Sequence, residues 1–549
     1  MTTKIWHRTE TVALAVAIYL VAVLNVAFWQ RLLAAVAPST VHDWAFLTAV
    51  AVALVAVAYA ILVLLALPYI FKPVVAAVLI VCAGATYFML EYGTLIDDNM
   101  IRNVLETDPG ETHDLISLKL VAFVAVLGVA PAALLWRWPI AFRPLLRGAP
   151  WRMGVAGIAL AVGATAAMTF YEDVTSIGRE HRELRLSLTP SNIVSGLGRN
   201  LRKPLPKGAP QPYGKDARKG AAWAGRARRA VTVVVIGETA RAANFSLNGY
   251  ARKTNPQLEK VDGLINFANA SSCGTDTAVS VPCIFSGFGR GEFRRARADA
   301  RENLLDILQR AGFAVLWRDN QAGCKGVCDR VPSEKTLDLK LTGLCDGKEC
   351  RDEALLSGLG EKIDALQSDA VIVLHMMGSH GPAYYRRSPR DFQRFTPACD
   401  TNHLSRCSHE ALVNAYDNSI SYTDHVLAKL IDLLAQRPHI DTAMLYVSDH
   451  GESLGEKGIY LHGMPFAIAP SEQTHIPMML WLSPSFIDDF GVDQSCLSGR
   501  RGNAVSHDNI FHSVLGLMDV STSVYQAELD LFALCRRPVV SVEHHPKAG

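Results

Sequence analysis

Val231-Thr232-Val233-Val234-Val235-Ile236-Gly237-Glu238-Thr239 reads as a buried strand that ends on a carboxylate. A β-branched run of this kind is how a strand covered on both faces of a parallel sheet looks. The pattern recurs downstream, where Met444-Leu445-Tyr446-Val447 runs into Ser448-Asp449-His450-Gly451-Glu452. Between the two lies Ser271-Ser272-Cys273-Gly274-Thr275-Asp276-Thr277-Ala278-Val279-Ser280-Val281-Pro282-Cys283. It sets hydroxyl side chains in a loop bounded by two cysteines, just ahead of an apolar run that opens a helix. A hydroxyl at a helix N-terminus sits in positive potential, which favours an alkoxide and any anion bonded to it. Acid, hydroxyl, acid and imidazole at strand ends are what a metal needs to hold and activate an oxygen nucleophile.

Outward from these motifs, strands and helices alternate after residue 229. Strand candidates cover residues 231–236, 314–317, 370–375, 443–447 and 478–481, and helix candidates cover 302–311, 352–366, 410–435 and 507–518. The alternation predicts an α/β domain with a mostly parallel sheet, which binds its ligands at the carboxyl ends of the strands. Glu238, His380, Asp449 and His450 all fall just past strand ends. No internal repeat or low-complexity tract is visible.

The 549 residues are too many for one compact domain, and the 50% hydrophobic content is concentrated in the first third. Residues 11–29, 44–68, 73–91, 120–136 and 153–171 approach the roughly 20 apolar residues that cross a bilayer. Lys4 and Arg8 precede the first stretch without a small-residue cleavage site after it, which reads as a retained anchor. Arg137, Arg143, Arg147 and Arg152 crowd the loop before the fifth stretch, whereas Asp97, Asp98, Glu106, Asp108, Glu111 and Asp114 crowd the loop before the fourth. The positive-inside rule puts the arginine loop and the N-terminus in the cytoplasm, so five spans export everything after Tyr171. Residues 1–171 are expected to form the membrane domain, 229–535 the catalytic domain and 536–549 a tail. The polar, basic segment 172–228, broken by Pro204, Pro206, Pro210 and Pro212, is a linker, either a solvated tether or short helices on the membrane surface. A net charge of +2 gives no reason to expect a nucleic-acid partner.

Of 11 cysteines only Cys82 lies in an expected span, and the other ten follow residue 270. Close pairs Cys273/Cys283, Cys324/Cys328, Cys345/Cys350 and Cys399/Cys407 read as disulfides of an oxidising compartment, with Cys496 and Cys535 remaining. The spacings also invite zinc ribbons, against which the export topology argues.

From Glu91-Tyr92-Gly93 through Leu461-His462-Gly463, these motifs in this order resemble the lipid A phosphoethanolamine transferases. That membrane-bound group includes the mobilised colistin-resistance enzymes, and its catalytic domain is of the alkaline phosphatase and sulfatase superfamily. The resemblance implies a multi-pass protein of the bacterial inner membrane with five helices and a periplasmic α/β domain, acting as a monomer. It implies one zinc on Glu238, Thr277, Asp449 and His450, with a second zinc possible. Thr277 would attack phosphatidylethanolamine, form a phosphothreonine intermediate and pass phosphoethanolamine to lipid A of lipopolysaccharide, which lowers polymyxin binding. His380 and His462, in Gly-flanked loops, would serve substrate phosphate, a second zinc or proton transfer. His375, a lone histidine on a strand, reads more often as a satisfied structural residue. Lys325 would bind phosphate, although Ala322 replaces a family hydroxyl nearby. Asn103, Thr107 and Glu111 fit an ethanolammonium cation, or else belong to a solvated acidic loop.

Other readings compete. A sulfatase needs Cys or Ser in a Cys/Ser-x-Pro-x-Arg pattern, which Pro282-Cys283-Ile284 lacks. Transfer to a core sugar, or transfer of another headgroup such as glycerol phosphate, would use the same metal set. An inactive membrane scaffold would be expected to have lost ligands, yet every position is filled.

Overall fold

The computed structural model describes residues 7–106, 115–171, 173–174, 177, 181, 183–201, 209–321, 323–401 and 404–536. Thr107, Glu111, Ala322 and nearly all of the 536–549 tail lie outside the described residues. The chain divides into two compact units, Met1–Val104 with Ile116–Arg202, and Leu105–Leu115 with Lys203–Gly549.

In the first unit, helices Val41–Leu64, Phe71–Glu91, Leu118–Arg137 and Leu146–Thr169 are each long and apolar enough to cross a membrane. The first expected span is instead a broken pair, Thr9–Ala22 and Val26–Val36, bent by 56°; counted as one span, the pair brings the total to five. No Pro or Gly stands at the break; Asn25 does. Its buried amide donates to the carbonyls of Leu20 and Thr189 and accepts from the Thr189 N–H. The Leu24 carbonyl that the break releases receives the hydroxyls of Thr86 and Thr189. Apolar surroundings demand that satisfaction, because water is not there to supply it. The last helix begins at Leu145, earlier than hydropathy suggests, so Arg147 and Arg152 sit on its first turns rather than in a loop. Ala125–Val129 takes a π-helical turn, where a Cβ on Gly128 would stand 3.0 Å from the Ile80 Cα. Such small residues let transmembrane helices approach closely.

The second unit is built on one eight-stranded sheet. Its strands are β1 (Arg229–Gly237), β2 (Ile265–Ser271), β3 (Ala314–Asp319), β4 (Ser333–Lys335), β5 (Ala370–His375), β6 (Ile440–Ser448), β7 (His475–Leu482) and β8 (Val505–Ser506). They lie in the order β8-β2-β7-β6-β1-β5-β3-β4. β7 runs antiparallel to β6 and β2, and every other pairing is parallel. β1 sits between β5 and β6 with all but its first residue buried, which is why its sequence is so uniformly apolar.

Three strands lacked a sequence signal. Ile265-Asn266-Phe267-Ala268-Asn269-Ala270-Ser271 is poor in strand formers and extends because β7 and β8 supply its ladders. β4 and β8 are only three and two residues long. The helix expected over 352–366 is two pieces, a 3-10 turn Asp352–Leu356 and a helix Leu359–Ala365, separated at Gly358 with φ 63°. Disulfides join Cys273–Cys283, Cys324–Cys328, Cys345–Cys350, Cys399–Cys407 and Cys496–Cys535, and Cys82 is a buried free thiol. Cys324, Cys328 and Asp329 are close enough to suggest a metal group, but the two sulfurs are bonded to each other.

The helix Thr277–Ser286 packs into this core through Ile284 and Phe285, the latter against Trp317 with ring centroids 5.6 Å apart. Phe285→Ala is expected to cost about 3–5 kcal/mol through the cavity it leaves. A lower melting midpoint of the full chain in detergent would show it, and an unchanged midpoint would mean that this helix does not anchor the unit.

Candidate active site

β1 and β6 are parallel neighbours in register, with Ile236 opposite Val447 and Gly237 opposite Ser448. The residues that follow, Glu238 on one strand and Asp449 and His450 on the other, therefore leave the sheet side by side. All three are 0% exposed. Thr239 then turns the chain away with φ 58°, a left-handed conformation that strains a β-branched residue. The surrounding bonds hold it there. Its N–H donates to Asp449 Oδ1 at 3.1 Å, its hydroxyl to Glu238 Oε1 at 2.7 Å, and its carbonyl accepts from Tyr416 Oη at 2.7 Å. From β5 the chain passes over Glu238 at Gly378, φ 53°, where a Cβ would lie 2.4 Å from the Glu238 carbonyl oxygen. Only glycine fits that approach.

Thr277 is the first residue of its helix, capped by Asp276, whose carboxylate accepts the Val279 N–H. Its Oγ1 lies 3.1 and 3.2 Å from the two Glu238 carboxylate oxygens and 3.4 Å from His450 Nε2. Three further devices hold the loop. The Cys273–Cys283 disulfide ties its start to the helix. Pro282 cannot donate to the Ala278 carbonyl, and Arg295 Nη1 donates to that carbonyl instead, at 3.1 Å. Buried His507 accepts the Cys273 N–H on Nδ1 at 3.0 Å and donates from Nε2 to the Ser448 carbonyl at 2.9 Å. Burial pushes His507 down to about 4, so it stays neutral in that one tautomer and links the Thr277 loop to the strand that carries Asp449 and His450.

The cluster fits a metal ion. The ligand atoms of Glu238, Asp449 and His450 lie within 4.8 Å of one another, and Asp449 Oδ2 is buried without a hydrogen-bond partner. His450 Nδ1 faces the Gly451 carbonyl at 2.8 Å and must donate there, which leaves the Nε2 lone pair for a ligand bond. A tetrahedral ion with arms of about 2.0–2.1 Å needs ligand atoms about 3.3–3.4 Å apart. His450 Nε2 stands 3.2 Å from Asp449 Oδ2 and 3.5 Å from Glu238 Oε1, and the Thr277 distances complete the set. Charge points the same way. Burial and then the Glu238 charge hold Asp449 up at about 7. Burial works against the His450 cation, but Asp449 and Glu238 outweigh it and raise His450 to about 10. The cluster therefore calls for positive charge at its centre at neutral pH.

Thr277, His380 and His462 are half-buried and form the rim of this floor. His462 stacks toward His450 at 4.4 Å and toward His380 at 5.5 Å between ring centroids. Its Nδ1 meets Glu452 Oε1 at 3.2 Å; burial lowers its basicity, and the Glu452 charge more than restores it. Burial pushes His380 down to about 3, against the pull of Glu238. His380 is thus held neutral, while His462 is favoured in its cationic form.

The structure brings Glu238, Thr277, Asp449, His450, His380 and His462 together. Lys325 follows β3 with φ 51°, and its carbonyl receives Arg295 Nη2 at 3.0 Å, so one guanidinium spans the Thr277 helix and the Lys325 loop. Among the described residues no hydrogen bond or ion pair joins its ammonium to the cluster. Asn103 lies half-buried on the helix Asp98–Glu106 of the membrane unit. His375 is wholly buried, with Nδ1 on Asp319 Oδ1 at 2.8 Å and its ring edge-on to Trp317, which makes it part of the core. The sequence assigned no role to Glu452, His507, Arg295 or Asp352. Asp352 receives the N–H groups of Met377 and Gly378 at 2.7 and 2.8 Å and so sets the loop that presents His380. Glu452, three residues beyond Asp449, carried the one usable signal, a carboxylate inside the motif itself.

Comparison with known proteins gives this geometry a family. Residues 230–520 match the family described as Sulfatase, and residues 54–205 match the family described as Phosphoethanolamine transferase EptA/EptB. The phosphoethanolamine transferase EptA of Escherichia coli (strain K12) is 42% identical over 535 residues, 95% of this chain and 96% of that protein. The phosphatidylethanolamine transferase Mcr-1 of Escherichia coli is 37% identical over 537 residues, covering 94% of this chain and 97% of its own. The solved integral membrane lipooligosaccharide phosphoethanolamine transferase A of Neisseria meningitidis superposes with a TM-score of 0.93 at 37% identity, over 96% of this chain and 99% of that one. The chain belongs to the EptA family of phosphoethanolamine transferases, membrane enzymes whose catalytic domain is of the sulfatase type.

Proposed function

We propose that this chain transfers phosphoethanolamine from phosphatidylethanolamine to lipid A through a covalent intermediate on Thr277. The observation that carries the reading is the Thr277 hydroxyl, at a helix N-terminus and 3.1–3.4 Å from the Glu238 carboxylate and His450 Nε2. The protein lies in the inner membrane with its sulfatase-type domain in the periplasm, where donor and acceptor lipids are both within reach. The ligand set of two carboxylates, one imidazole and a hydroxyl suits a single zinc, which when bound lowers the hydroxyl's pKa and screens the anionic donor phosphate.

Within that frame the chain's own groups divide the work. Glu238 faces the Thr277 proton, and Thr277 Oγ1 forms a bond to phosphorus as the bond to the glycerol oxygen breaks. His462, oriented by Glu452, is placed to protonate the leaving diacylglycerol oxygen. In the second half an acceptor oxygen bonds to phosphorus and the Thr277–phosphorus bond breaks, with neutral His380 taking any proton the acceptor carries. Lys325 is assigned to the substrate phosphate. Asn103, Thr107 and Glu111 are assigned to the ethanolammonium on the chemistry of their side chains.

Three outcomes test this. Expression in a host with unmodified lipid A should add phosphoethanolamine to it, read by mass spectrometry, and Thr277→Ala should abolish the addition while shifting stability by no more than about 1 kcal/mol. Continued addition by the Ala variant would end the covalent reading. Glu238→Gln and Asp449→Asn should each leave the purified chain with far less bound zinc by elemental analysis; full zinc content in both would show that the ion sits elsewhere. Finally, a lipid A phosphate bears roughly −1.5 to −2 near neutral pH, and an added ammonium reduces the net charge. Cationic polymyxins should then bind less to cells expressing the wild-type chain than to cells expressing Thr277→Ala, and equal binding would contradict lipid A as the acceptor.

A further inference from the structure

A cavity of about 940 Å³ opens in the catalytic unit, bounded on one side by Met377 and Gly378 of the loop that passes over Glu238. Its lining carries the guanidiniums of Arg351, Arg386, Arg387 and Arg390 and the carboxylates of Asp346, Glu349, Asp352 and Asp400. Most of that charge is already engaged. Glu349 holds Arg387 at 2.8 Å and Arg386 at 3.9 Å. Asp352 is taken by the backbone of Met377 and Gly378 and by the Asn320 amide, and Asp346 by the backbone of Lys348 and Glu349. Arg351, Arg390 and Asp400 are exposed at the cavity, and among the described residues none has an ion-pair partner. Ser388, 5% exposed, also lines it and has no hydrogen bond for its hydroxyl.

Two features join this cavity to the chemistry. Gly378 lines it and at the same time packs against the Glu238 backbone. Arg387 lines it and donates from Nε to the His380 carbonyl at 2.8 Å. A ligand seated here would touch the loop that covers Glu238 and the arginine that holds the His380 carbonyl.

Two planar guanidiniums with no carboxylate to bind match a phosphate group, which they can grip through paired N–H donors. A lone carboxylate and a hydroxyl beside them match ring hydroxyls, which need acceptors. The volume is of the size that encloses a drug-sized ligand, well beyond a phosphoethanolamine group. We propose that this cavity is the acceptor subsite and that it takes a phosphorylated sugar, with the phosphate on Arg351 and Arg390 and ring hydroxyls on Asp400 and Ser388. The inference rests on the transferase reading above and assigns a separate place to its second substrate.

The test uses the full chain in detergent, phosphatidylethanolamine as donor, and lipid A with and without its phosphates as acceptor. Diacylglycerol release and phosphoethanolamine transfer are followed separately. In Arg351→Gln/Arg390→Gln the KM for phosphorylated lipid A should rise by at least about tenfold, the scale of losing charged hydrogen bonds. The ratio of transfer to diacylglycerol release should fall with it, and removal of the acceptor phosphates should erase the difference from wild type. Calorimetry with glucosamine 1-phosphate alone gives a second readout, in which the double variant should bind more weakly by a similar factor. An acceptor KM within about twofold of wild type, or a rise in the KM for phosphatidylethanolamine instead, would overturn the assignment. A wild-type chain that released no diacylglycerol at all would overturn the transferase reading and this inference with it.

Discussion

Glu238 and Asp449 are wholly buried next to each other, with His450 closing the group. An unpaired buried charge costs several kcal/mol, more than the roughly 1–3 kcal/mol stored in a strained residue such as Thr239. Electrostatics therefore outweighs local strain at this site, and a cation held by the cluster would offset the larger cost. The surroundings are consistent with that ranking. Thr239 tolerates a left-handed backbone because its N–H and hydroxyl are needed by the two carboxylates. Gly378 gives up a side chain so that the β5 loop can pass over Glu238.

Once the charge is placed, the proposed nucleophile, Thr277, has to be brought to it, and most of the supporting bonds do that work. His507 links the Thr277 loop to the end of β6, the Cys273–Cys283 bond ties loop to helix, and Arg295 joins that helix to the Lys325 loop. Asp352 sets the loop that presents His380, while Glu452 orients His462. A hydroxyl held this way needs little rearrangement to react, which is how preorganisation lowers a barrier. The membrane helices follow a different rule. There a buried amide, Asn25, is tolerated because the polar atoms it exposes or releases find partners.

What could be read in advance follows from what is local. β1, β5 and β6 are continuous apolar runs, so their sequence alone announced them and the residues just beyond their ends. β2 was silent because its Asn, Ala and Ser residues are held extended by neighbours more than 200 residues away in the chain. The break at Asn25 was hidden for the same reason, since its meaning lies in contacts with Leu24, Thr86 and Thr189 rather than in a Pro or Gly. That Glu238, Asp449 and His450 come together could be anticipated because they stand in short motifs at strand ends. His507, Arg295 and Asp352 could not, because each acts through backbone groups that only the folded chain brings within reach. Glu452 falls between these cases, visible in the motif but without an evident partner until His462 folds onto it.

In the proposed reaction Thr277, set against the Glu238–Asp449–His450 group, bonds to the transferred phosphoethanolamine. The most direct measurement incubates the purified chain with phosphatidylethanolamine and no acceptor, then quenches it and maps the peptides by mass spectrometry. The expected result is one phosphoethanolamine on the peptide that contains Thr277, removed when lipid A is added before the quench. Release of diacylglycerol with that peptide unmodified and the adduct on another residue would contradict the account.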